Sequence, residues 1–221
     1  VRVVARRGVG IGVRAGLQRA GAGDAALVWL DAHGDFNTPA TTETGYLDGM
    51  PLAMLCGRAY RDAVKEQLVM EPLDEAAVLH AGGRDFDRRE RESLLASAVG
   101  LIEGADLRDR GPAEALAPAL DTLAGARRAA LGLAAGEAPP AHLHVDLDVL
   151  DPAAAPGVTF PAPGGLSAGQ LLEVIDMVRE RFVLVALTVT SFTPDRDEAG
   201  TTLAAGLAVL QRVTTEVVRR P

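Results

Sequence analysis

The chain has 221 residues, of which 48% are hydrophobic, a net charge of −8 and a single cysteine. The length is sufficient for one large core, and the acidic balance disfavours a general nucleic-acid role, because phosphate binding needs clustered Lys and Arg. No apolar run of about 18 or more residues is available to span a membrane, and one cysteine excludes an internal disulfide framework. We therefore expect a cytoplasmic protein that binds neither nucleic acid nor a membrane.

Short apolar segments alternate with helical patterns along the chain. Strands are predicted at 25–30, 76–80, 142–147 and 182–189. Their lack of clean alternation is typical of a parallel sheet covered on both faces. Helices are predicted at 12–19, 51–60, 113–131, 171–181 and 201–219, the fourth of them after a capping box that begins at Ser167. This order predicts a three-layer α-β-α fold with a mostly parallel, doubly wound sheet, in one domain over residues 1–221.

Two glycine-rich segments have different interpretations. Residues 150–165 are too rich in Pro and Gly for regular structure, and a loop of this length in a compact domain is usually functional or disordered. Residues 8–12 (GVGIG) lack the strand that precedes a dinucleotide-binding loop. We therefore expect the first segment to be functional or disordered, and we expect no nucleotide site at the second.

Acidic residues follow two of the predicted strands at the points where the strands end. Asp31, His33 and Asp35 alternate after the first strand, and Asp146 and Asp148 alternate at the end of the third. Residues two apart in an extended chain point the same way, and the carboxyl ends of parallel strands form the ligand-binding edge of a sheet. We therefore expect four carboxylates and one imidazole to converge.

Such a cluster requires compensation of its charge. Four neighbouring carboxylates repel each other strongly where water is excluded, and two divalent cations would neutralise them. Oxygen-rich ligation with one imidazole favours a hard or borderline ion such as Mn²⁺, and two bridged ions would lower the pKa of a shared water. The alternative is that each aspartate caps a helix or forms a turn; the recurrence of the pattern at two strand ends favours the metal site.

The remaining histidines and the cysteine have structural interpretations. His80 ends an apolar strand and is predicted to pack in the core or to support a ligand indirectly. His142 and His144 belong to the strand before Asp146; His144 shares the face of Asp146 but lies deeper in the sheet, and we predict a structural role for both. Cys56 lies in an apolar helical pattern and is predicted to be a small core residue.

The segments around these aspartates resemble the motifs of arginases. The matches are residues 31–39 with DAHxDxNTP, 41–51 with TTxSGNLHGxP, 83–87 with GLRDxD, and 144–167 with SxDxDxxDPxxAPGxxxPxxGGLS. Their order and spacing agree from about Val3 to the C-terminus. The chain is thus similar to the ureohydrolase (arginase/agmatinase) superfamily, nearest the arginase branch, with a divergent or truncated N-terminal part.

This resemblance implies an arginase-like fold and a manganese-dependent amidinohydrolase. In that reaction a metal-bridging hydroxide attacks a guanidinium carbon and releases urea and an amine. The resemblance further implies two Mn²⁺ per chain, or one, and a homo-oligomer, either a trimer or a hexamer. The positions that match family metal ligands are Asp31, His33, Asp35, Asp146 and Asp148.

The resemblance also assigns residues to the substrate and to catalysis. Asn37 and Thr44 match positions that arginases use for the α-carboxylate of the substrate, and Asp87 matches the position that holds its α-amino group. Asp48 stands where arginases have the His of HGxP, which is thought to shuttle protons; an aspartate does so only with a raised pKa. We therefore place Asp48, together with the ligand Asp35, in the catalytic set.

Two further departures concern the first metal ligand and the guanidinium. Arg6-Arg7 stand where the family has the Asp-His of GGDH, so that Arg7 replaces a neutral donor with a cation. Ser191 replaces the Glu of ExNP that pairs with the guanidinium, and Asp195 or Asp197 would have to approach in its place.

These departures leave other functions open. One alternative is a catalytically degenerate member with an incomplete metal site and a binding or regulatory role. Another is a different hydrolase on the same scaffold, such as a deacylase that releases a carboxylate. For an active enzyme, Asp48 and Ser191 favour a modified guanidino acid over arginine as the substrate.

Overall fold

The computed structural model describes residues 8–215, so the predictions about Arg6-Arg7 and about the last residues of the C-terminal helix lie outside the described residues. Five strands form one sheet in the order β3-β2-β1-β4-β5, and each neighbouring pair is parallel. The strands are β1 Ala26–Leu30, β2 Val78–Gly83, β3 Gly100–Glu103, β4 Pro140–Asp146 and β5 Val183–Thr190. The predicted parallel α/β sheet is confirmed.

Helices connect these strands. Within residues 8–215 they are α1 Val9–Arg19, α2 Pro51–Leu55, α3 Arg61–Leu68, α4 Arg88–Leu95, α5 Gly104–Arg110, α6 Pro112–Ala130, α7 Ala168–Arg181 and α8 Thr201–Thr214. Each is too short or too polar to cross a bilayer. The prediction of one helix over 51–60 is wrong, because α2 ends at Leu55 and Gly57 adopts φ +71°, a conformation that a helix cannot contain. The predicted capping box at Ser167 is confirmed.

Both faces of the sheet are covered, which gives the predicted three layers. Ala26, Val28 and Leu30 of β1 pack into the core under α5, α6, α7 and α8. The intervening Leu27 and Trp29 pack into the core under α1, α2 and α4. Because every residue of β1 is buried, its sequence shows no alternation of polar and apolar residues.

The pairing of β1 with β4 positions the aspartates. Trp29 lies opposite His144 and Leu30 opposite Val145. Asp31 therefore leaves β1 beside Asp146, the last residue of β4. The two acidic segments meet at the carboxyl edge of the sheet, as the sequence predicts.

Candidate active site

Three buried aspartates form the base of the site. The backbone N–H groups that follow each strand hold their carboxylates: Asp31 Oδ1 accepts from His33 N at 2.8 Å, and Asp146 Oδ1 accepts from Asp148 N at 2.9 Å. The two segments are joined across the sheet edge, since Ala32 N donates to Asp148 Oδ1 at 3.2 Å. These bonds fix the carboxylates at the ends of β1 and β4.

His33 lies between two of these carboxylates. Its Nδ1 is 3.3 Å from Asp31 Oδ1 and 3.3 Å from Asp148 Oδ2. Burial by itself would lower the pKa of His33, but the hydrogen bonds and charges of Asp148 and Asp31 outweigh burial and raise it to about 10. His80, whose pKa is lowered by burial, holds the His33 carbonyl oxygen with Nε2 at 2.7 Å. This contact agrees with the predicted supporting role of His80.

Two groups of ligand atoms suited to a cation share Asp31. One consists of Asp31, His33 and Asp148, and the other of Asp31, His144 and Asp146. Within each group the ligand atoms lie within 4.8 Å of one another. Sequence reasoning brought the aspartates and His33 together but placed His144 outside the site. The sequence feature that could have identified His144 is its position two residues before Asp146, on the same face of β4.

Asp35 reaches the site by a different backbone path from the one predicted. The chain stays extended at His33, which forms an isolated bridge with Asp85. At Asp35, however, φ is +50°, so the alternation of Asp31, His33 and Asp35 does not persist. Asp35 is nonetheless fully buried and lines the cleft over the site. Its role as a ligand stays a prediction.

A cleft of about 570 Å³ opens over His33 and Asp35. It contains the other predicted substrate-contacting and catalytic residues except Ser191: Asn37, Thr44, Asp48 and Asp87. Tyr46 and Phe160 stand edge to face at one side, with ring centroids 5.4 Å apart. Phe160 belongs to the irregular segment 150–165, which therefore contributes a wall of the cleft. Neither aromatic residue was singled out from the sequence, because nothing in the pattern separates them from other loop residues.

Asn37 and Asp87 form a polar pair in the lining of the cleft. Asn37 Nδ2 donates to Asp87 Oδ2 at 2.9 Å, and the same oxygen accepts from Glu43 N at 3.1 Å. Asp87 is also the N-cap of α4 in a capping box with Glu90. The N-terminus of α4 thus holds the Asp87 carboxylate in place. This carboxylate matches the position that binds the α-amino group of the substrate in arginases.

Glu90 is a cleft residue that sequence reasoning missed. Its Oε1 accepts from Phe36 N at 2.9 Å, and its Oε2 accepts from Asp87 N at 3.2 Å. Burial raises the pKa of Glu90 to about 7 despite these two donors. The signal was the spacing of Asp87 and Glu90, which is that of a capping box.

Arg84 joins the irregular segment 150–165 to the site by hydrogen bonds. Its Nη2 donates to the backbone carbonyls of Asp148 at 2.7 Å, Ala162 at 2.8 Å and Leu150 at 3.1 Å. Burial lowers the pKa of Arg84, and the nearby Asp148 carboxylate opposes that change. The guanidinium holds the start and the far end of the segment close to Asp148.

Ser191 lies against the buried carboxylate cluster rather than along the cleft. Its hydroxyl donates to Asp146 Oδ2, which also accepts from Thr190 Oγ1 at 3.1 Å. Asp197, the alternative partner for a guanidinium, caps α8 by accepting from Thr202 N at 2.9 Å and Leu203 N at 2.8 Å. Both Asp197 oxygens thus bind the start of α8, and an approach of Asp197 to the substrate stays a prediction.

The donor set is compatible with divalent cations. Asp31, Asp146 and Asp148 are at most 1% exposed. Buried carboxylates this close together are stable when a cation or a proton compensates them. Oxygen donors with an imidazole in each group suit hard or borderline ions. The residues at the ends of β1 and β4 thus fit a metal centre on their chemistry.

Comparison with known proteins gives a consistent assignment. Residues 8–215 match the model of the Arginase family. The chain is 34% identical over 200 residues to the N(omega)-hydroxy-L-arginine amidinohydrolase of Streptomyces lavendulae, covering 90% of this chain and 63% of that relative. It is 29% identical over 193 residues to the arginase of Schizosaccharomyces pombe, covering 85% of this chain and 56% of that relative.

A solved structure agrees with these matches. The crystal structure of arginase from Bacillus subtilis superposes with a TM-score of 0.80 at 25% identity, covering 94% of this chain and 69% of that chain. The chain spans 56% to 63% of the length of the two curated relatives. On the match over residues 8–215, the chain belongs to the arginase family.

Proposed function

We propose that the chain is an amidinohydrolase, which cleaves a guanidino compound to an amine and urea or the corresponding substituted urea. The observation that carries this proposal is the pair of carboxylate–imidazole groups that share Asp31 beneath a polar cleft. The named activities of its relatives support it.

We propose Mn²⁺ as the metal, held by Asp31, His33, Asp146 and Asp148, with Asp35 as a further ligand. The donor chemistry supports a hard or borderline divalent ion. When bound, such ions lower the pKa of water, which makes a hydroxide nucleophile available near neutral pH.

The charge of the cleft favours a cationic substrate. The carboxylate-bearing residues along it are Asp35, Asp48, Asp85, Asp87 and Glu90. A concave surface lined by one sign of charge concentrates ligands of the opposite sign. A protonated guanidinium meets this requirement and also matches the hydrogen-bond geometry of carboxylates.

The other end of the substrate is assigned to the Asn37–Asp87 pair in the cleft lining. Asp87 holds an α-amino group, while Asn37 and Thr44 hold an α-carboxylate. Asp48 is half-buried at the cleft, and we assign to it the transfer of a proton to the leaving amine. The substrate class that follows is a guanidino amino acid.

Ser191 favours a modified guanidino group. It brings a hydroxyl, and not a carboxylate, to the position that pairs with the guanidinium in arginases, and that hydroxyl is bound to Asp146. A relative that is 34% identical is named for N(omega)-hydroxy-L-arginine, whose guanidino group carries an added oxygen. We therefore include N-substituted guanidino amino acids in the proposed substrate class.

The proposal is tested by product release with Mn²⁺. L-arginine, N-hydroxy-L-arginine, agmatine and 4-guanidinobutyrate are incubated with the metal-loaded chain, and the urea and amine products are quantified. We expect release from at least one amino acid of this panel and none from the Asp31→Asn variant. A loaded protein that turns over no member would favour the non-catalytic alternative, and release of a carboxylate from acylated amines would favour a deacylase.

Three further expectations accompany this function. We propose that residues 1–221 form a single domain, that the chain assembles as a homo-oligomer and that it acts in the cytoplasm. These proposals follow from the resemblance and from the composition.

A further inference from the structure

We propose that His144 is a metal ligand, so that each cation of the centre is bound by one imidazole. This inference rests on the metal centre of the proposed function and adds a residue to it. The geometric basis is the group formed by Asp31, His144 and Asp146, whose ligand atoms lie within 4.8 Å of one another. It shares Asp31 with the group that contains His33, so the two groups are adjacent.

The orientation of the ring supports ligation through Nε2. His144 stacks on Trp29 with ring centroids 3.5 Å apart and planes 6° apart, and this follows from their pairing across β1 and β4. His144 Nδ1 is 2.6 Å from Thr188 Oγ1. Metal-bound histidines typically donate their second ring N–H to such an oxygen, which fixes the tautomer and leaves the other nitrogen as the electron-pair donor.

The neighbours of Nε2 belong to the carboxylate cluster. His144 Nε2 is 3.4 Å from Thr190 Oγ1, and that hydroxyl donates to Asp146 Oδ2 at 3.1 Å. The edge of the ring that carries Nε2 therefore faces the end of β4, where Asp146 and Asp31 meet. Stacking and the Thr188 bond hold the ring in this orientation.

The other histidines do not occupy an equivalent position. The sequence contains four. His80 is bound to the carbonyl of His33, and His142 lies one step further from the carboxyl edge with Nε2 3.2 Å from the same Thr188 hydroxyl. Among residues 8–215, neither belongs to a ligand group with carboxylates. Only His33 and His144 of the four therefore place an imidazole in such a group.

His142 offers a matched control. It is as fully buried as His144, lies on the same face of β4 and contacts the same hydroxyl. His142→Asn and His144→Asn thus remove equivalent rings from the same strand. A decrease in metal binding that reflects only core packing or folding will occur in both variants. A decrease caused by loss of a metal ligand will occur in His144→Asn alone.

The test is binding of Mn²⁺ alone, measured by equilibrium dialysis and metal analysis on the full chain. We expect two ions per chain in the parent protein and in His142→Asn. In His144→Asn we expect one ion at the parent affinity and a second that binds about tenfold or more weakly, since even the loss of a residue that only supports a ligand weakens metal binding by about tenfold. Two ions bound by His144→Asn at the parent affinity would overturn the assignment of His144 while leaving the metal centre in place. No Mn²⁺ on the parent protein would overturn the metal centre itself, and the ligand assignment with it.

A second measurement does not depend on the stability of any variant. Crystals of the parent chain soaked in Mn²⁺ are recorded near the manganese absorption edge, and anomalous peaks locate the ions. A peak is expected at about 2.0–2.3 Å from His144 Nε2, which is the zinc–nitrogen distance with the tolerance of about 0.2 Å that applies to a proposed metal site. Peaks on the Asp31 carboxylate with none at bonding distance from His144 would overturn the assignment.

Discussion

The hydroxyl of Ser191 donates a hydrogen bond to Asp146, a carboxylate of the proposed metal centre. Ser191 adopts φ +66°, so the backbone turns sharply just after β5 and directs this side chain toward the end of β4. The residue that occupies the guanidinium-pairing position in the motif thus acts on a metal ligand. The consequence is a measurable link between Ser191 and metal affinity.

Ser191→Ala is expected to weaken Mn²⁺ binding by about tenfold, because hydrogen bonds to a ligand orient it and tune its basicity. Titration of the protein with Mn²⁺, monitored by calorimetry, measures the change in affinity. Ser97→Ala serves as the control, since that hydroxyl is bound to the carbonyl of Leu94 instead of a proposed ligand. Equal affinities for all three proteins would show that the Ser191 contact has no role in the centre.

Asp35→Gly is expected to stabilise the metal-free chain and to weaken its metal binding. Asp35 has φ +50°, a conformation that glycine adopts without steric cost, and relief of such strain contributes about 1 kcal/mol or more to the free energy of unfolding. Urea unfolding and Mn²⁺ titration measure the two effects.

Val69→Gly is the matched control for Asp35→Gly. Val69 has φ +51° and is 73% exposed at the end of α3, away from the carboxylates. The Val69→Gly variant should have a higher free energy of unfolding than the parent protein and the same Mn²⁺ affinity. If Asp35→Gly kept the parent affinity as well, Asp35 would not be a ligand.

Asp87→Asn is expected to change substrate preference while preserving the fold. Asparagine caps helices as well as aspartate does, so the start of α4 should be retained. Loss of the carboxylate should raise KM for a guanidino amino acid and leave KM for 4-guanidinobutyrate, which lacks the α-amino group, little changed. Steady-state kinetics on both compounds provide the comparison, and a parallel rise for both would argue against a contact with the amino-acid end.

Asp48→Asn is expected to lower kcat by about a hundredfold with little change in KM, since proton transfer by a placed side chain contributes at least that much to a rate. Asp48→His, which restores the residue of the arginase motif, should retain turnover. Rates for the three proteins at saturating Mn²⁺ measure the effect. An unchanged kcat in Asp48→Asn would remove Asp48 from the catalytic set.

Features that depend on local patterns were predictable from the sequence. The apolar runs that became β1 and β4 are fully or nearly fully buried, and the aspartates that follow them lie at the carboxyl edge as parallel strands require. The capping box before α7 was likewise predictable from four consecutive residues. Each of these signals is carried by neighbouring residues in the chain.

Features that depend on strand pairing were not predictable. β3 is a half-buried edge strand of four residues, too short and mixed to produce a clear pattern. The spacing puts His144 on the face of Asp146, but its approach to Asp31 depends on the register that places it opposite Trp29. The turn at Asp35 has φ +50°, which no alternation of residue types reveals.

The most direct test of the proposed function is the release of urea, or substituted urea, from guanidino amino acids as the ratio of Mn²⁺ to chain rises from zero to two. We predict no product from the metal-free chain and a rate that increases as the groups containing His33 and His144 fill. Two ions bound per chain with no product from any guanidino compound, or product release that is independent of metal, would contradict the account.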